Sequence, residues 1–231
     1  MSLDFDSARL PNKCLKPEHH EWRAQLRRFF DREVIPFAAQ WDEDGHIPDE
    51  LWPKSAAVGI LGLGYPEEFG GVSEGIDLWY GIILNEEMAR IAVGGVGATL
   101  MVHGIGLPPV INFGSDEVKQ MVAPPVLAGT KRISLAITEP GAGSDVAHIT
   151  TTARLDGDHY VVNGSKTYIT GGMNANWFTT AVRTGGEGAS GVSTLLIPAD
   201  TEGVSRTALD KKQGWWCSDT ATIYFDNARV P

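Results

Sequence analysis

The segment from Ile137 to Asp145 combines residue types that can bind an anionic or carbonyl-rich ligand. Gly141 and Gly143 would let a ligand approach bare backbone, and the hydroxyls of Thr138 and Ser144 add polar groups. A turn of this kind can direct several backbone N–H groups at one ligand. The same composition also occurs in turns that only end a strand, so the residue types alone leave both interpretations open.

Two other patterns favour simpler explanations. Residues Gly186 to Gly191 match GxGxxG, but a strand pattern at Val192 to Ile197 follows where a dinucleotide fingerprint requires a helix, so we predict a flexible hairpin loop. Asn163-Gly164-Ser165 matches a glycosylation acceptor, yet Asn-Gly is also a strong turn signal, and we predict a turn there.

Several acidic and imidazole side chains could take part in proton transfer. Glu139 follows Thr138 in the glycine-containing loop, where we predict backbone bonding or a surface charge rather than a catalytic base. Glu86 and Glu87 lie in a helical pattern and are predicted to face solvent. His103 is predicted to be a structural histidine.

The elements that position these motifs differ between the two halves of the chain. Helical periodicity runs from Pro17 through Trp22, Leu26, Phe29, Phe30 and Val34, with Pro36 ending or kinking the helix. Further helices are predicted at Pro48 to Val58, Ile76 to Ala92, and Ser115 to Leu127, the last with Ser115 as N-cap.

From about Lys131 the hydrophobic period becomes two, which is typical of half-buried strands. Strands are predicted at Arg132 to Thr138, Thr150 to Leu155, Tyr160 to Val162, Lys166 to Thr170, Trp177 to Arg183, Val192 to Ile197 and Thr222 to Phe225. Asp156-Gly157-Asp158 predicts a hairpin turn. The expected fold is therefore α+β: an all-α N-terminal domain, residues 1–130, followed by an antiparallel β-barrel-like domain, residues 131–231.

Composition excludes several classes of protein. The 231 residues carry a formal charge of −10, which argues against nucleic-acid binding because that needs a basic surface. Cys14 and Cys217 lack the spacing of a disulfide framework or a zinc site, so a reducing, cytoplasmic location is expected and no metal site is predicted. The start of the chain lacks a signal-peptide pattern, and no apolar run of about 18 residues predicts a membrane span.

The two motifs at residues 135–145 and 163–171 resemble the acyl-CoA dehydrogenase family. Weaker matches are Asn112 to Ser115, Pro124 to Gly129, Cys217 to Thr220 and Phe225-Asp226, so the resemblance extends from Lys16 to Pro231. It implies a flavoprotein that oxidises acyl-CoA thioesters to trans-2-enoyl-CoA, in which FAD takes the β hydride and a Glu removes the α proton.

The resemblance also implies roles for individual residues. FAD contacts are expected at Leu135, Ile137, Thr138, Gly143, Ser144, Tyr168, Ile169 and Thr170. Thr138 would bond near the pyrimidine edge of the flavin, and the Thr170 hydroxyl would point at N5. Gly143 and Ser144 would lie by the phosphates of the cofactor, and Ser144 also by the entering thioester chain.

Three positions depart from the family pattern. Gly214-Trp215-Trp216 lacks the Arg that often follows there, Ala221 stands where Arg is frequent, and Gly171 stands where Asn is usual. The first two leave acyl-chain length and branching open. The tryptophans fit either a substrate wall or core packing.

The family resemblance places Pro231 at the junction to a C-terminal four-helix bundle that carries the base, part of the FAD adenine site and the oligomer contacts. We therefore expect a truncated form without its own catalytic residue and nearly inactive alone. Acyl-CoA and an electron-transfer flavoprotein are the expected partners, and a homotetramer or homodimer is expected for the full-length form. A flavin oxidase, a flavin monooxygenase and a non-catalytic interaction fragment remain alternatives.

Overall fold

A computed structural model describes Leu3, Phe5, Asp6 and residues 11–231. The helices in this part of the chain are α1 (Pro17–Glu33), α2 (Ala38–Asp44), α3 (Leu51–Val58), α4 (Leu78–Ala89), α5 (Gly94–Leu100), α6 (His103–Gly106), α7 (Pro108–Phe113) and α8 (Asp116–Leu127). The strands are β1 (Ile133–Ala136), β2 (Thr152–Asp156), β3 (His159–Thr170), β4 (Trp177–Arg183), β5 (Val192–Pro198), β6 (Val204–Ala208) and β7 (Thr220–Val230). The predicted fold class, a helical part followed by a β part, is confirmed.

The long helices follow the sequence prediction closely. Helix α1 begins at Pro17 and ends before Pro36, and Ser115 Oγ accepts a hydrogen bond from Val118 N–H at 3.3 Å, which confirms the predicted N-cap. The sequence did not predict α2, α5, α6 and α7, because helices of four to seven residues are too short to show a clear period.

The chain forms two compact units, and each unit is made of three separate stretches of sequence. The first contains residues 1–100, 120–130 and 213–218, and the second contains 101–119, 131–212 and 219–231. Within the described residues no single helix is long and apolar enough to cross a membrane. The helices at 94–100 and 103–113 together are long and apolar enough, judged by length and composition only, but they form a bent pair.

In the first unit, α1 packs against α3 and α4 through the apolar positions that the sequence predicts. Leu26 and Phe30 are fully buried, and the Trp22 indole N–H donates to the Tyr80 carbonyl at 3.2 Å. The spacing of these side chains places them on one face of the helix, so the amphipathic interpretation of α1 is confirmed.

Glu87 corrects the prediction of a solvated helix face. Its side chain is fully buried, whereas the neighbouring Glu86 is 40% exposed. Arg23 and Arg27 of α1 and Arg90 at the end of α4 all donate to the Glu87 carboxylate, at 3.0 to 3.3 Å. Three guanidinium partners compensate the loss of hydration that burial imposes on this charge.

The second unit is built on a curled mixed sheet with the strand order β1-β4-β2-β3-β7-β6, and β5 also pairs with β4. Strands β2 and β3 form the predicted hairpin, and β4 and β5 form another around the loop at 184–191. Two pairings are parallel: β1 lies along β4 over four residues, and β2 meets β4 at a single pair of residues. The interior is formed by side chains such as Val162, Ile169, Phe178 and Ile223.

The predicted turn at Asn163-Gly164 is wrong. Residues 159–170 form one continuous strand, and its register against β7 shifts between Val162 and Gly164 and again between Lys166 and Ile169. Both shifts are local irregularities of the bulge type, which bend a strand and change which side chains face the core. Strand β6 was also not predicted.

Candidate functional site

The structure brings the two sequence motifs together, although β1 and β3 are not neighbours in the sheet order. The Thr167 N–H donates to the Thr138 carbonyl at 2.8 Å. One residue away, the Lys166 amine donates to the Ile137 carbonyl at 2.9 Å. The end of β1 is therefore fastened to the middle of β3 at the point where the glycine-containing loop begins.

A buried ion pair lies at this junction. Lys166 Nζ is 2.7 Å from Glu139 Oε1, and the two side chains are 0% and 4% exposed. The other Glu139 oxygen accepts from the Thr150 N–H at 2.6 Å and from the Thr150 hydroxyl at 2.8 Å, while Oε1 also accepts from the Thr151 N–H at 2.9 Å. Glu139 thus bonds to backbone, which is one of the two roles that the sequence analysis allowed for it.

The charge states of the pair follow from these contacts. Burial acts to raise the pKa of Glu139, but hydrogen bonds from Lys166, Thr151 and Thr150 outweigh it and lower the pKa to about 2. Burial lowers the pKa of Lys166, and the hydrogen bond and charge of Glu139 oppose that change. A carboxylate with four donors and a depressed pKa is a poor proton acceptor at neutral pH.

Gly164 is required by the close approach of β3 to Thr151. A Cβ at Gly164 would lie 2.6 Å from Thr151 Oγ1, and the φ of +141° is itself a value that side chains rarely allow. Thr151 Oγ1 in turn donates to the Ser165 carbonyl at 3.2 Å. The Asn-Gly pair therefore permits strand packing here rather than a chain reversal.

The loop after Glu139 offers open backbone. Glu139 and Ala142 exchange two backbone hydrogen bonds of 2.9 and 3.1 Å, and the Ala142 side chain is buried. A Cβ at Gly141 or Gly143 would meet no atom within 4 Å, and both glycines and Ser144 are exposed. The described backbone provides no acceptor for their N–H groups. This arrangement can donate several hydrogen bonds to one anionic ligand.

The remaining predicted cofactor contacts lie along the two strands. Leu135, Ile137, Thr138 and Thr170 are half-buried; Ile169 is buried in the sheet core, which leaves its backbone as the part that could meet a ligand. Tyr168 is 65% exposed and has a φ of +58°, at the second register shift of β3. That strained bulge turns an aromatic ring outward beside the segment that holds Thr138.

A second turn closes this part of the sheet. Gly171 has a φ of +71°, and a Cβ there would lie 3.0 Å from Ser134 Oγ, so glycine fits this turn without the crowding that a side chain would meet. Asp219 Oδ2 accepts from the Met173 N–H at 2.7 Å, and the Asp219 carbonyl accepts from the Gly171 N–H at 2.9 Å. The Asp of the Cys217 to Thr220 motif therefore holds the turn that follows Thr170.

Sequence reasoning assigned no role to Lys166 or Arg183. Arg183 donates to the carbonyls of Ala147 and Ile149 and to those of Gly186 and Gly188, so it ties the loop after Ser144 to the loop between β4 and β5. A lysine or arginine in a strand pattern normally indicates an exposed position. No pattern in the neighbouring sequence distinguishes Lys166 and Arg183 from exposed lysines and arginines.

The other departures occupy different surroundings. Ala221 is fully buried in the sheet and pairs with Ile169 on one side and Ala208 on the other. Trp215 and Trp216 are 58% and 50% exposed, so neither belongs to the core of the described chain. In the first unit, the Trp215 indole lies so close to Gly94 that a Cβ there would be 2.6 Å from Nε1.

Comparisons with known proteins cover almost the whole chain. Residues 16–130 match the family described as acyl-CoA dehydrogenase, N-terminal domain, and residues 134–228 match acyl-CoA dehydrogenase, middle domain. A probable acyl-CoA dehydrogenase, FadE25, of Mycobacterium tuberculosis is 36% identical over 230 residues, which is 98% of this chain and 57% of that protein. The chain thus spans a little over half the length of this curated relative.

Solved structures agree with the sequence comparisons. A crystal structure of a probable acyl-CoA dehydrogenase from Mycobacterium abscessus is 45% identical with a TM-score of 0.89, covering 94% of this chain and 57% of that one. A glutaryl-CoA dehydrogenase from Mycobacterium smegmatis in complex with FADH2 is 28% identical with a TM-score of 0.87, covering 98% and 56%. On these matches, and on the meeting of its two motifs in the fold, the chain belongs to the acyl-CoA dehydrogenase family.

Proposed function

We propose that this chain contributes the flavin-binding face of an FAD-dependent enzyme that converts an acyl-CoA thioester to its trans-2-enoyl form. The observation that carries the proposal is the junction of the two motifs, where the Thr167 N–H bonds to the Thr138 carbonyl beside an open, donor-rich loop. Family membership supports flavin-dependent acyl-CoA dehydrogenation as the general activity.

The residues of this chain fit FAD. Gly141 and Gly143 leave open space beside their backbone, and the N–H groups of Gly141, Gly143 and Ser144 have no backbone acceptor in the described chain. In the proposal, Gly143 and Ser144 donate to the phosphates, since clustered N–H groups favour anions. Ser144 also contacts the thioester chain.

The strand residues hold the ring system. The proposed ring contacts are Leu135, Ile137, Thr138, Tyr168, Ile169 and Thr170, with the Thr170 hydroxyl directed at N5. Donors aligned before the reaction stabilise negative charge without reorganising when it develops. Bound FAD would supply the two-electron acceptor that removes a hydride from the β carbon.

The described chain offers no assigned base for the α proton. Glu139, the carboxylate beside the proposed ring contacts, accepts four hydrogen bonds and has a pKa of about 2, so it is a poor acceptor for the α proton at neutral pH. We therefore propose that a carboxylate not contained in these 231 residues removes the proton, and that the 231-residue chain alone is nearly inactive.

The proposal includes partners and a location. An electron-transfer flavoprotein would reoxidise the flavin, the full-length protein would be a homotetramer or homodimer, and the location would be cytoplasmic. These follow from the family resemblance and from the composition of the chain, which includes two cysteines without metal or disulfide spacing.

The test combines flavin binding with turnover. FAD is titrated into the purified 231-residue chain and into the full-length gene product, followed by visible absorbance, and acyl-CoA oxidation is measured with an artificial electron acceptor. We expect weak FAD retention and little turnover by the shorter chain, and turnover only by the full-length product. Full activity of the 231-residue chain would contradict the proposed origin of the base.

Two other results would replace the proposed chemistry. Rapid oxygen consumption with acyl-CoA, or with another substrate, would favour an oxidase or monooxygenase on the same fold. A full-length product that stays colourless after exposure to FAD would favour a non-catalytic interaction protein.

A further inference from the structure

We propose that Lys166 and Glu139 are positioning residues that hold the ligand-facing backbone of both motifs in one arrangement. The inference rests on the proposed function for the identity of the ligand, and it concerns how this chain prepares its own backbone. It is carried by the hydrogen bonds that the pair makes to Ile137 and to Thr150 and Thr151.

The first step concerns the peptide between Ile137 and Thr138. Strand β1 pairs with β4 only as far as Ala136, so the Ile137 carbonyl lies beyond the ladder. The Lys166 amine supplies the hydrogen bond that a partner strand would otherwise give, at 2.9 Å. Lys166 therefore fixes the direction of the Ile137–Thr138 peptide group, just beyond the end of β1.

That direction determines where the next donor points. The described peptide bonds include no cis bond, and in a trans peptide the C=O and the following N–H point in opposite directions. With the Ile137 carbonyl turned to Lys166, the Thr138 N–H is turned away from it. The described backbone provides no acceptor for that N–H, which leaves it for a ligand.

The second step concerns the loop that starts at Glu139. Its carboxylate accepts from the N–H groups of Thr150 and Thr151, eleven and twelve residues further along the chain. The Glu139 side chain thus joins the beginning of the segment that contains Gly141, Gly143 and Ser144 to its end at Thr150 and Thr151. Because Lys166 binds the same carboxylate, the Thr138 peptide and the loop closure depend on one ion pair.

Stability alone does not account for a pair of this kind. A fully buried ion pair gains little over apolar side chains of similar size, because dehydrating both charges offsets their attraction. What an apolar pair could not provide is four hydrogen bonds to other groups at defined atoms: one to the Ile137 carbonyl, and three from Thr150 and Thr151. The charges therefore serve mainly to hold these backbone groups in defined positions.

In the test, the effect of each substitution is measured as hydrogen exchange at amides that the substituted side chain does not contact. Lys166→Met is followed at the Thr150 and Thr151 amides, and Glu139→Gln at the Thr167 amide, by hydrogen exchange in NMR spectra of the 231-residue chain. Lys131→Met, at an exposed lysine of the same unit, is the control. We expect exchange at the distant amides to rise about tenfold or more in both variants and not in the control.

A single variant could fail to fold because it leaves one buried charge unpaired. The double variant Lys166→Met with Glu139→Gln removes both charges and avoids this problem. Losing both charges should preserve the circular dichroism spectrum while the amides of Thr150, Thr151 and Thr167 still exchange faster. Exchange at these amides that stays at the wild-type rate in every folded variant would overturn the inference.

FAD binding separates this inference from the proposed function. Where wild type binds FAD, the variants should bind it about tenfold more weakly and show an altered visible circular dichroism of the flavin, while Lys131→Met matches wild type. Unchanged affinity and spectrum in the variants would overturn the positioning role. If the full-length wild type binds no FAD, the proposed function fails, and the exchange rates alone decide whether the pair holds the backbone.

Discussion

The hydroxyl of Thr151 fills the space into which a side chain at Gly164 would project, since a Cβ there would lie 2.6 Å from Thr151 Oγ1. Strand β3 can pass this point only because residue 164 has no side chain. Two residues further on, the same strand delivers Lys166 to Glu139. The glycine is therefore a packing requirement of the site.

Gly164→Ala should destabilise the protein. The added methyl group meets Thr151 and is strained at a φ of +141°, so we expect the free energy of unfolding to fall by about 2 kcal/mol or more. Urea denaturation followed by circular dichroism measures the change. Gly186→Ala is the control, because a Cβ there meets no atom within 4 Å, and equal losses in the two variants would contradict the packing argument.

Glu87→Gln should cost far more stability than Glu86→Gln. Removing the charge of Glu87 leaves Arg23, Arg27 and Arg90 without their shared buried carboxylate, a loss of about 3 kcal/mol or more. Glu86 is 40% exposed, so its substitution should cost less than about 1 kcal/mol. Both values come from the same urea titration, and similar costs at the two positions would mean that burial of Glu87 is not decisive.

Acid should weaken the Glu139 network in a defined pH range. The pKa of Glu139 is lowered from its ordinary 4.5 to about 2 in the folded protein, so the unfolded chain takes up a proton first. The resulting stabilisation is complete above about pH 5 and is lost as the pH falls towards 2.

The size of this effect is on the order of 3 kcal/mol, and it appears as a difference between wild type and Glu139→Gln. Unfolding free energies measured from pH 7 down to the lowest pH at which both proteins fold should converge as the pH falls. A constant difference across that range would show that Glu139 does not carry the expected charge linkage.

Gly143→Val should impair cofactor binding without harming the fold. The site is exposed and a Cβ there meets no atom within 4 Å, so a side chain can begin at this position without meeting the folded chain. If phosphates approach the backbone there, we expect FAD affinity to fall about tenfold, or roughly 1.4 kcal/mol. Flavin titration measures it against Gly186→Val, and matching affinities would remove Gly143 from the proposed site.

Local patterns predicted those parts of the fold that depend on neighbouring residues. The period of α1, the Ser115 cap and the strand at Trp177–Arg183 follow from side chains a few positions apart. The same reasoning failed at Asn163-Gly164, because a turn signal describes what a dipeptide can do and not whether β7 continues alongside it. The charge of Glu87 likewise predicted exposure, which its buried partners override, and no pattern in the sequence indicated that Lys166 is buried.

The sequence by itself determined the family of this protein, the order of helical and β parts, and the two segments that carry its candidate ligand-binding groups. Only the tertiary structure decided that Glu139 and Lys166, 27 residues apart, meet as a buried pair and bond to Ile137, Thr150 and Thr151. The physical reason is that periodicity and turn chemistry act over a few residues. Which charges are buried, and beside which partners, depends on how bulged strands from distant parts of the chain pack against one another.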